Sequence, residues 1–267
     1  IERVEKFETV FIPKRRIEST IERIVEDSKK ILSNYVPLPY EDSLKIDLIE
    51  GTGKGAAYHK YKGHFSGEVK GDVVKKYTIN TLVHIILHEA YPGHHLHELL
   101  REQKMVNQKD WGEYALTATF DPSAVLDEGL AEFAPSLLFT DQERIKYEEK
   151  IASDLGMSTE FAAGHARFGD RLRVLRNKLS TKLAIEMDKG TISDDDARKY
   201  LVKYGLYTSE LADKRLKNIK AFGAFAISYD IGRTLVERRM RQVVSKEEKW
   251  KEYVNLILYG FESKELE

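Results

Sequence analysis

From Ile17 the apolar residues Ile17, Ile21, Ile24, Val25, Ile31 and Leu32 recur at helical spacing until Pro37-Leu38-Pro39 ends the run, which predicts an amphipathic opening helix. Leu44, Ile46 and Leu48 then alternate with polar residues, Gly51 to Gly55 provide a turn, and Val69 to Ile79 again favours extended chain, so a small antiparallel sheet is expected before residue 80. Downstream the punctuation is helical. Asp121-Pro122 reads as an N-cap followed by Pro at the first helical position, and Ser193-Asp194-Asp195-Asp196 and Ser245-Lys246-Glu247-Glu248 resemble capping boxes. Gly190, Gly205 and Gly260 stand where C-terminal cap glycines belong. Helices are expected near 15–35, 81–105, 122–138, 141–154, 159–188, 194–204, 209–220, 224–243 and 246–259. The fold class that follows is mainly α (α+β), with many helices and one small sheet.

A chain of 267 residues with 42% hydrophobic and 33% charged residues, 6 Pro and no low-complexity tract is folded and globular, expected as one domain spanning residues 1–267. Its net charge of -1 gives no field that would draw in nucleic acid or an anionic membrane, so neither is expected as a partner. The longest apolar runs, such as Ile85-Ile86-Leu87, fall far short of the roughly 20 residues a membrane span needs. No basic stretch followed by an apolar one opens the chain, which begins at Ile1, and the expected compartment is cytoplasmic. The absence of Cys excludes disulfides, thiol catalysis and thiolate metal sites, leaving His and carboxylate for any transition metal. Gly51-Thr52-Gly53-Lys54-Gly55 lacks the spacing of a phosphate-binding loop and reads as a turn.

Five of the 8 His, namely His84, His88, His94, His95 and His97, fall within one short stretch, His84-Ile-Ile-Leu-His88-Glu89-Ala90-Tyr91-Pro92-Gly93-His94-His95-Leu96-His97. A His-Glu pair at the end of an apolar helix is how zinc peptidases present a ligand beside a general base. Here the position four after His88 is Pro92 and the next His comes six later, about 240° around a regular helix. Pro92 interrupts the helix and Gly93 permits irregular backbone, so two bulged residues could return His94 to His88. His84, one turn before His88, and His95 are the alternatives. Each of His84, His95 and His97 also reads as a core histidine with its hydrogen bonds satisfied. A further ligand must come from another element, and Asp127-Glu128-Gly129-Leu130-Ala131-Glu132 offers carboxylates on a helix whose small Gly129 and Ala131 admit a close neighbour.

These residues resemble a widespread bacterial and archaeal family of zinc metallopeptidases, catalogued as a domain of unknown function, with the signature H-E-A-x-P-G-H-H. It stands here as His88-Glu89-Ala90-Tyr91-Pro92-Gly93-His94-His95. The family's E-G-W-A is similar to Glu128-Gly129-Leu130-Ala131, and its S-Y-x-x-G to Ser228-Tyr229-Asp230-Ile231-Gly232, followed by Arg233. The likeness covers residues 40 to 260 and corresponds to the C-terminal, catalytic half of family members. Leu130 replaces the usual Trp, and Asn177 to Thr181 takes the place of a family Asp-x-Gly-x-His segment.

The resemblance implies a gluzincin-like, mostly helical hydrolase holding one zinc ion, with His88, His94 and Glu128 as metal ligands, Glu89 as general base and Tyr229 as oxyanion donor. On that reading the partner is a peptide substrate, hydrolysed without a covalent intermediate. Tyr91 is the next candidate donor, and Arg233, Arg238, Arg239 and Arg241 are candidates for a substrate-carboxylate clamp. The rival reading is a metal-binding or interaction module derived from a peptidase that no longer cleaves. A di-iron carboxylate bundle would need E-x-x-H pairs, and no His here has Glu three residues before it.

Overall fold

The computed structural model describes residues 10–51, 57–72, 75–115 and 123–261. Helix α1 (Ile17–Leu32) buries Ile17, Ile21, Ile24 and Leu32 along one face. Three strands follow, β1 (Ser43–Ile49), β2 (Ala57–Gly63) and β3 (Ser66–Asp72), in the spatial order β1-β3-β2. Strands β2 and β3 form a hairpin through His64 and Phe65, both with positive φ (54° and 53°), as a two-residue turn of the right twist demands. Strand β1 pairs in parallel with β3, from Ser43↔Ser66 to Ile49↔Asp72. The sheet is therefore mixed rather than antiparallel. Alternation marks a strand and its inner face but not its neighbour, and on the free edge of β3 a strand running opposite to β2 is necessarily parallel to β3. The turn expected at Gly51 to Gly55 lies largely outside the described residues, as does Asp121-Pro122.

Strand β3 ends at Asp72, short of the extended chain expected to Ile79, and Thr78 caps the helix that begins there: its Oγ1 accepts from Thr81 N–H at 3.2 Å. The rest of the described chain is helical: α2 (Ile79–Glu89), α3 (His94–Arg101), a π turn (Glu102–Val106) and a last turn (Asn107–Lys109), then α4 (Ala124–Leu138), α5 (Asp141–Asp154), α6 (Thr159–Asp188), α7 (Asp194–Gly205), α8 (Ser209–Phe222), α9 (Ser228–Met240) and α10 (Lys246–Tyr259). Mainly α with a small sheet is thus the fold class. Among the described residues no helix is long and apolar enough to cross a membrane.

Among the described residues the buried apolar side chains form a small cluster of Ile145, Ala163 and Ala166 and two larger cores. The larger gathers Ile24 of α1, Leu87 of α2, Leu96 of α3, Leu130 of α4, Val236 of α9 and Trp250 of α10. The smaller gathers Leu183 of α6, Leu201 of α7 and Ile219 of α8. Helix α6, about 45 Å long at 1.5 Å per residue, reaches both: Ala162 near its start belongs to the first core and Leu179, Leu183 and Ala184 near its end to the second.

Candidate metal centre

Leu82, Val83, Ile86 and Leu87 anchor α2 in the large core, which leaves His84 and His88 one turn apart on its remaining face, rings 5.9 Å apart. After Glu89 the chain leaves the helix: Ala90 takes φ -103°, ψ -101°, and the Tyr91–Pro92 peptide is cis. Gly93 then lies directly on the last turn of α2, where a Cβ would stand 1.7 Å from the His88 carbonyl oxygen. The one helix expected over 81–105 is therefore two. Where a two-residue bulge was expected, the chain breaks and doubles back, because Pro92 cannot continue the helix and Gly93 alone can touch it. The new helix starts at His94, whose ring meets His88 edge to face at 4.8 Å.

Helix α4 brings Glu128. Gly129 meets Gly232 of α9 so closely that a Cβ on Gly129 would lie 2.2 Å from the Gly232 carbonyl carbon, and one on Gly232 would lie 1.9 Å from Val125 O. Sequence reasoning anticipated a close neighbour at Gly129, and the structure identifies it as α9. One turn before Gly232, half-buried Tyr229 lies with its ring 6.2 Å from that of His88 and tilted only 22° from it.

Glu128 Oε2 stands 3.2 Å from His88 Nε2 and 3.6 Å from His94 Nε2, yet this buried oxygen has no hydrogen bond of acceptable geometry. One donor atom from each of the three residues falls within 4.8 Å of the others. Both histidines thus face the same carboxylate oxygen, a grouping close enough to share one small cation. Two imidazoles and a carboxylate, with no thiolate, suit zinc. The site favours positive charge. Burial opposes ionisation throughout, yet Glu128 and Glu89 hold His94 up at about 9, and the two histidines hold Glu128 down at about 2. Burial raises the Glu89 carboxyl, with His88 and His94 pulling the other way. Burial and then Glu128 and Glu89 push the Tyr229 phenol up, so it stays protonated and able to donate.

Behind this group Glu132 Oε1 lies 3.2 Å from His84 Nε2 and 3.7 Å from His88 Nδ1. Of these two contacts only the one to His84 is a hydrogen bond; His88 Nδ1 is buried without one. His84, His88 and Glu132 also come within 4.8 Å of one another, but Arg173 Nε at 3.4 Å and Arg233 Nη1 at 4.0 Å from Glu132 Oε2 already supply cations there. His84 thus braces Glu132 rather than joining Glu128.

The remaining sequence candidates find other partners. His95 is fully buried, with Nε2 3.0 Å from Asp42, and Tyr91 donates to the same carboxylate at 2.7 Å, which takes it out of reach as an oxyanion donor. His97 is buried in the core, with Nε2 bonded to Tyr253 Oη at 2.8 Å and Nδ1 left without a hydrogen bond. Arg233 Nη1 donates to Glu132 O at 3.0 Å and its Nε to Glu237, bracing α9 on α4, while Arg239 pairs with Glu252 and Arg241 with Glu237. Of the four arginines that were candidates for a clamp, Arg233 and Arg239 are thus engaged within the fold.

Three residues were not singled out beforehand. Tyr253 of α10 lies with its hydroxyl 3.0 Å from Pro92 O and 3.1 Å from Leu130 O, holding the break between α2 and α3 to α4. His59 of β2 donates its main-chain N–H to Glu89 Oε2 at 2.9 Å. Asp42 receives His95, Tyr91 and Lys29. None carries a local spacing signal.

No protein-family model matches the chain, and no curated protein matches it. Its fold is similar to that of a solved structure described as the "putative lipoprotein from Colwellia psychrerythraea", with a TM-score of 0.71 and 13% identity. The match covers 99% of this chain and 45% of the other. The likeness is one of fold, and this chain spans less than half of that protein's length.

Proposed function

We propose that the protein is a zinc-dependent peptidase of the gluzincin-like family its motifs resemble, with His88, His94 and Glu128 holding the ion. The observation that carries this reading is the clustering of those three donors within 4.8 Å of one another, with the buried Glu128 Oε2 lacking a hydrogen bond and the Glu89 carboxyl close enough to feel His88 and His94. Zinc in such a site supplies a Lewis acid and a water of lowered pKa. Glu89 takes a proton from the attacking water and delivers it to the leaving amine. Tyr229, kept protonated by its buried surroundings, donates to the oxyanion that develops on the substrate carbonyl. The substrate class is peptide, and cytoplasmic location remains part of the proposal; cell fractionation tests it against the site outside the cytoplasm that the neighbour's description suggests.

The test combines elemental analysis with a mixed peptide library read by mass spectrometry. The wild type should hold one zinc per chain, and His88→Ala, His94→Ala and Glu128→Ala should each lose it; full occupancy in any of them removes that ligand from the site. Glu89→Gln should keep metal and melting temperature while hydrolysis falls at least about 10²-fold, the scale of lost general-base catalysis. Tyr229→Phe should lower kcat by about 10²-fold at nearly constant KM. A zinc-loaded wild type that cleaves nothing speaks for the module that binds metal without catalysis.

A further inference from the structure

Beside the metal centre runs a hydrogen-bonded chain built from four separate elements. The Asp42 carboxylate, on the segment before β1 and 1% exposed, takes Lys29 Nζ at 2.6 Å, Tyr91 Oη at 2.7 Å and His95 Nε2 at 3.0 Å. An ionised carboxylate only accepts, so His95 carries its proton on Nε2, and in the neutral ring Nδ1 is left as an acceptor. That Nδ1 lies 3.0 Å from His59 Nε2, which must therefore be the donor. The His59 ring is locked in one orientation and one tautomer. Its own main-chain N–H, in turn, holds Glu89 Oε2 at 2.9 Å.

Space for the two rings is made by Gly67 of β3. A Cβ there would stand 2.4 Å from His95 Nδ1 and 2.6 Å from His59 Nε2, so any side chain at this position pushes the pair apart. The lock also answers a weakness of the sheet. Strand β2 is an edge strand, paired only with β3, and its register slips between Tyr61 and Gly63. His59 itself pairs in register with Val69, and the imidazole pair adds a tie to α3 that the ladder does not supply.

We infer that Asp42, His95 and His59 form a positioning device that fixes the β2 main chain so that it holds one oxygen of Glu89 and leaves the other for the water. The inference rests on Glu89 being the general base of the proposed peptidase. None of the three is a catalytic residue; they act through where Glu89 stands. Small misplacements of a reacting group carry large rate penalties.

The experiment uses the zinc-loaded full chain and the best library peptide. His59→Leu, which keeps the main-chain N–H, should lower kcat about tenfold with KM within about twofold. His59→Gln, whose amide can still donate to His95 Nδ1, should return most of that loss. Gly67→Ala should reproduce the His59→Leu defect, and the double variant should be no worse than either single change, because both break the same link. A general loss of folding predicts additive defects and no return with Gln, and either result overturns the lock. Ring-nitrogen NMR of the metal-free chain reads the same link without catalysis: protons on Nε2 of both His59 and His95 support it, and a proton on His95 Nδ1 overturns it. A wild type that cleaves nothing overturns the peptidase reading and the purpose given to the lock, whereas active protein in which Gln fails to rescue overturns the lock alone.

Discussion

The region around α2, α3 and α4 and the region formed by the end of α6 with α7 and α8 are held together differently. The first buries polar groups throughout: His95, His97, Glu132 and His84 are all under 9% exposed, and each is held by specific partners reached across the fold. The second buries Leu183, Ala197, Leu201 and Ala212 and keeps its charges outside, in pairs such as Arg198–Asp213, Lys220–Asp194 and Lys214–Glu210. Buried polar groups demand their partners, since losing one leaves the other stranded in a low-dielectric interior, whereas exposed ion pairs contribute little. One region is specified by pairing and the other by area. The same perturbation should therefore act on them unequally.

The largest expected effect is at Gly93. Gly93→Ala drives a methyl into the His88 carbonyl, a backbone contact with no rotamer to relieve it, and should cost more than about 3 kcal/mol. Thermal melting and zinc content should fall together. Next comes Leu201→Ala in the small core, where Leu201 is fully buried; a cost of about 3 kcal/mol is expected. Hydrogen exchange should show protection lost across α7 and α8 while zinc content holds, and loss of zinc would mean the two regions are not separable.

Acidification should separate them more gently. Every histidine of the chain lies between His59 and His165, so little titrates in α7 and α8 from about pH 7.5 to about pH 5.5. Burial holds His59 down at about 2, and burial with Arg173 holds His84 at about 4. A histidine with a depressed folded pKa binds fewer protons than the unfolded chain, so its stabilisation is whole above about 6.5 and is lost as pH falls below that value. Each should cost about 1 kcal/mol by about pH 5.5. The zinc-loaded protein is the one to use, because His94, which Glu128 and Glu89 raise to about 9 against burial, would otherwise gain stability over the same range. Exchange should quicken in β2, α2 and α3 and hold steady in α7 and α8. The smallest effect is Arg198→Ala, whose exposed pair with Asp213 should move the melting temperature by less than about 2 °C.

Helices α5, α6 and α10 coincide with the spans expected from sequence, because each starts at a hydroxyl that caps it: Thr140, Ser158 and Ser245. A cap is a local event and can be read locally. Pro92 marks an interruption within the span 81–105 from sequence alone, but that α2 and α3 are separate helices, with Gly93 resting on the His88 carbonyl, follows from a contact that no local pattern encodes. Gly205 stands where a cap glycine belongs, yet Leu206 holds the left-handed turn, with φ 53°. Gly205 is small because the Tyr207 ring lies 2.8 Å from where its Cβ would be. His88, Glu89, His94 and Glu128 could be named from motif spacing, whereas Asp42, His59 and Tyr253 could not. Tyr253 stands 161 positions from the Pro92 carbonyl it faces, and no local pattern encodes such a separation.

The crossing of α4 and α9 at Gly129 and Gly232 sets a manufacturing tolerance. Most helix pairs are spaced by side chains, which can exchange rotamers, so the gap between them is known only to within the play of those groups. Here main chain rests on main chain, and the spacing is gauged by van der Waals radii and covalent geometry. Tyr229 and Glu128 sit within one turn of that contact on their respective helices, so their separation inherits the accuracy of the backbone itself, and repacking elsewhere in the core has little means of altering it.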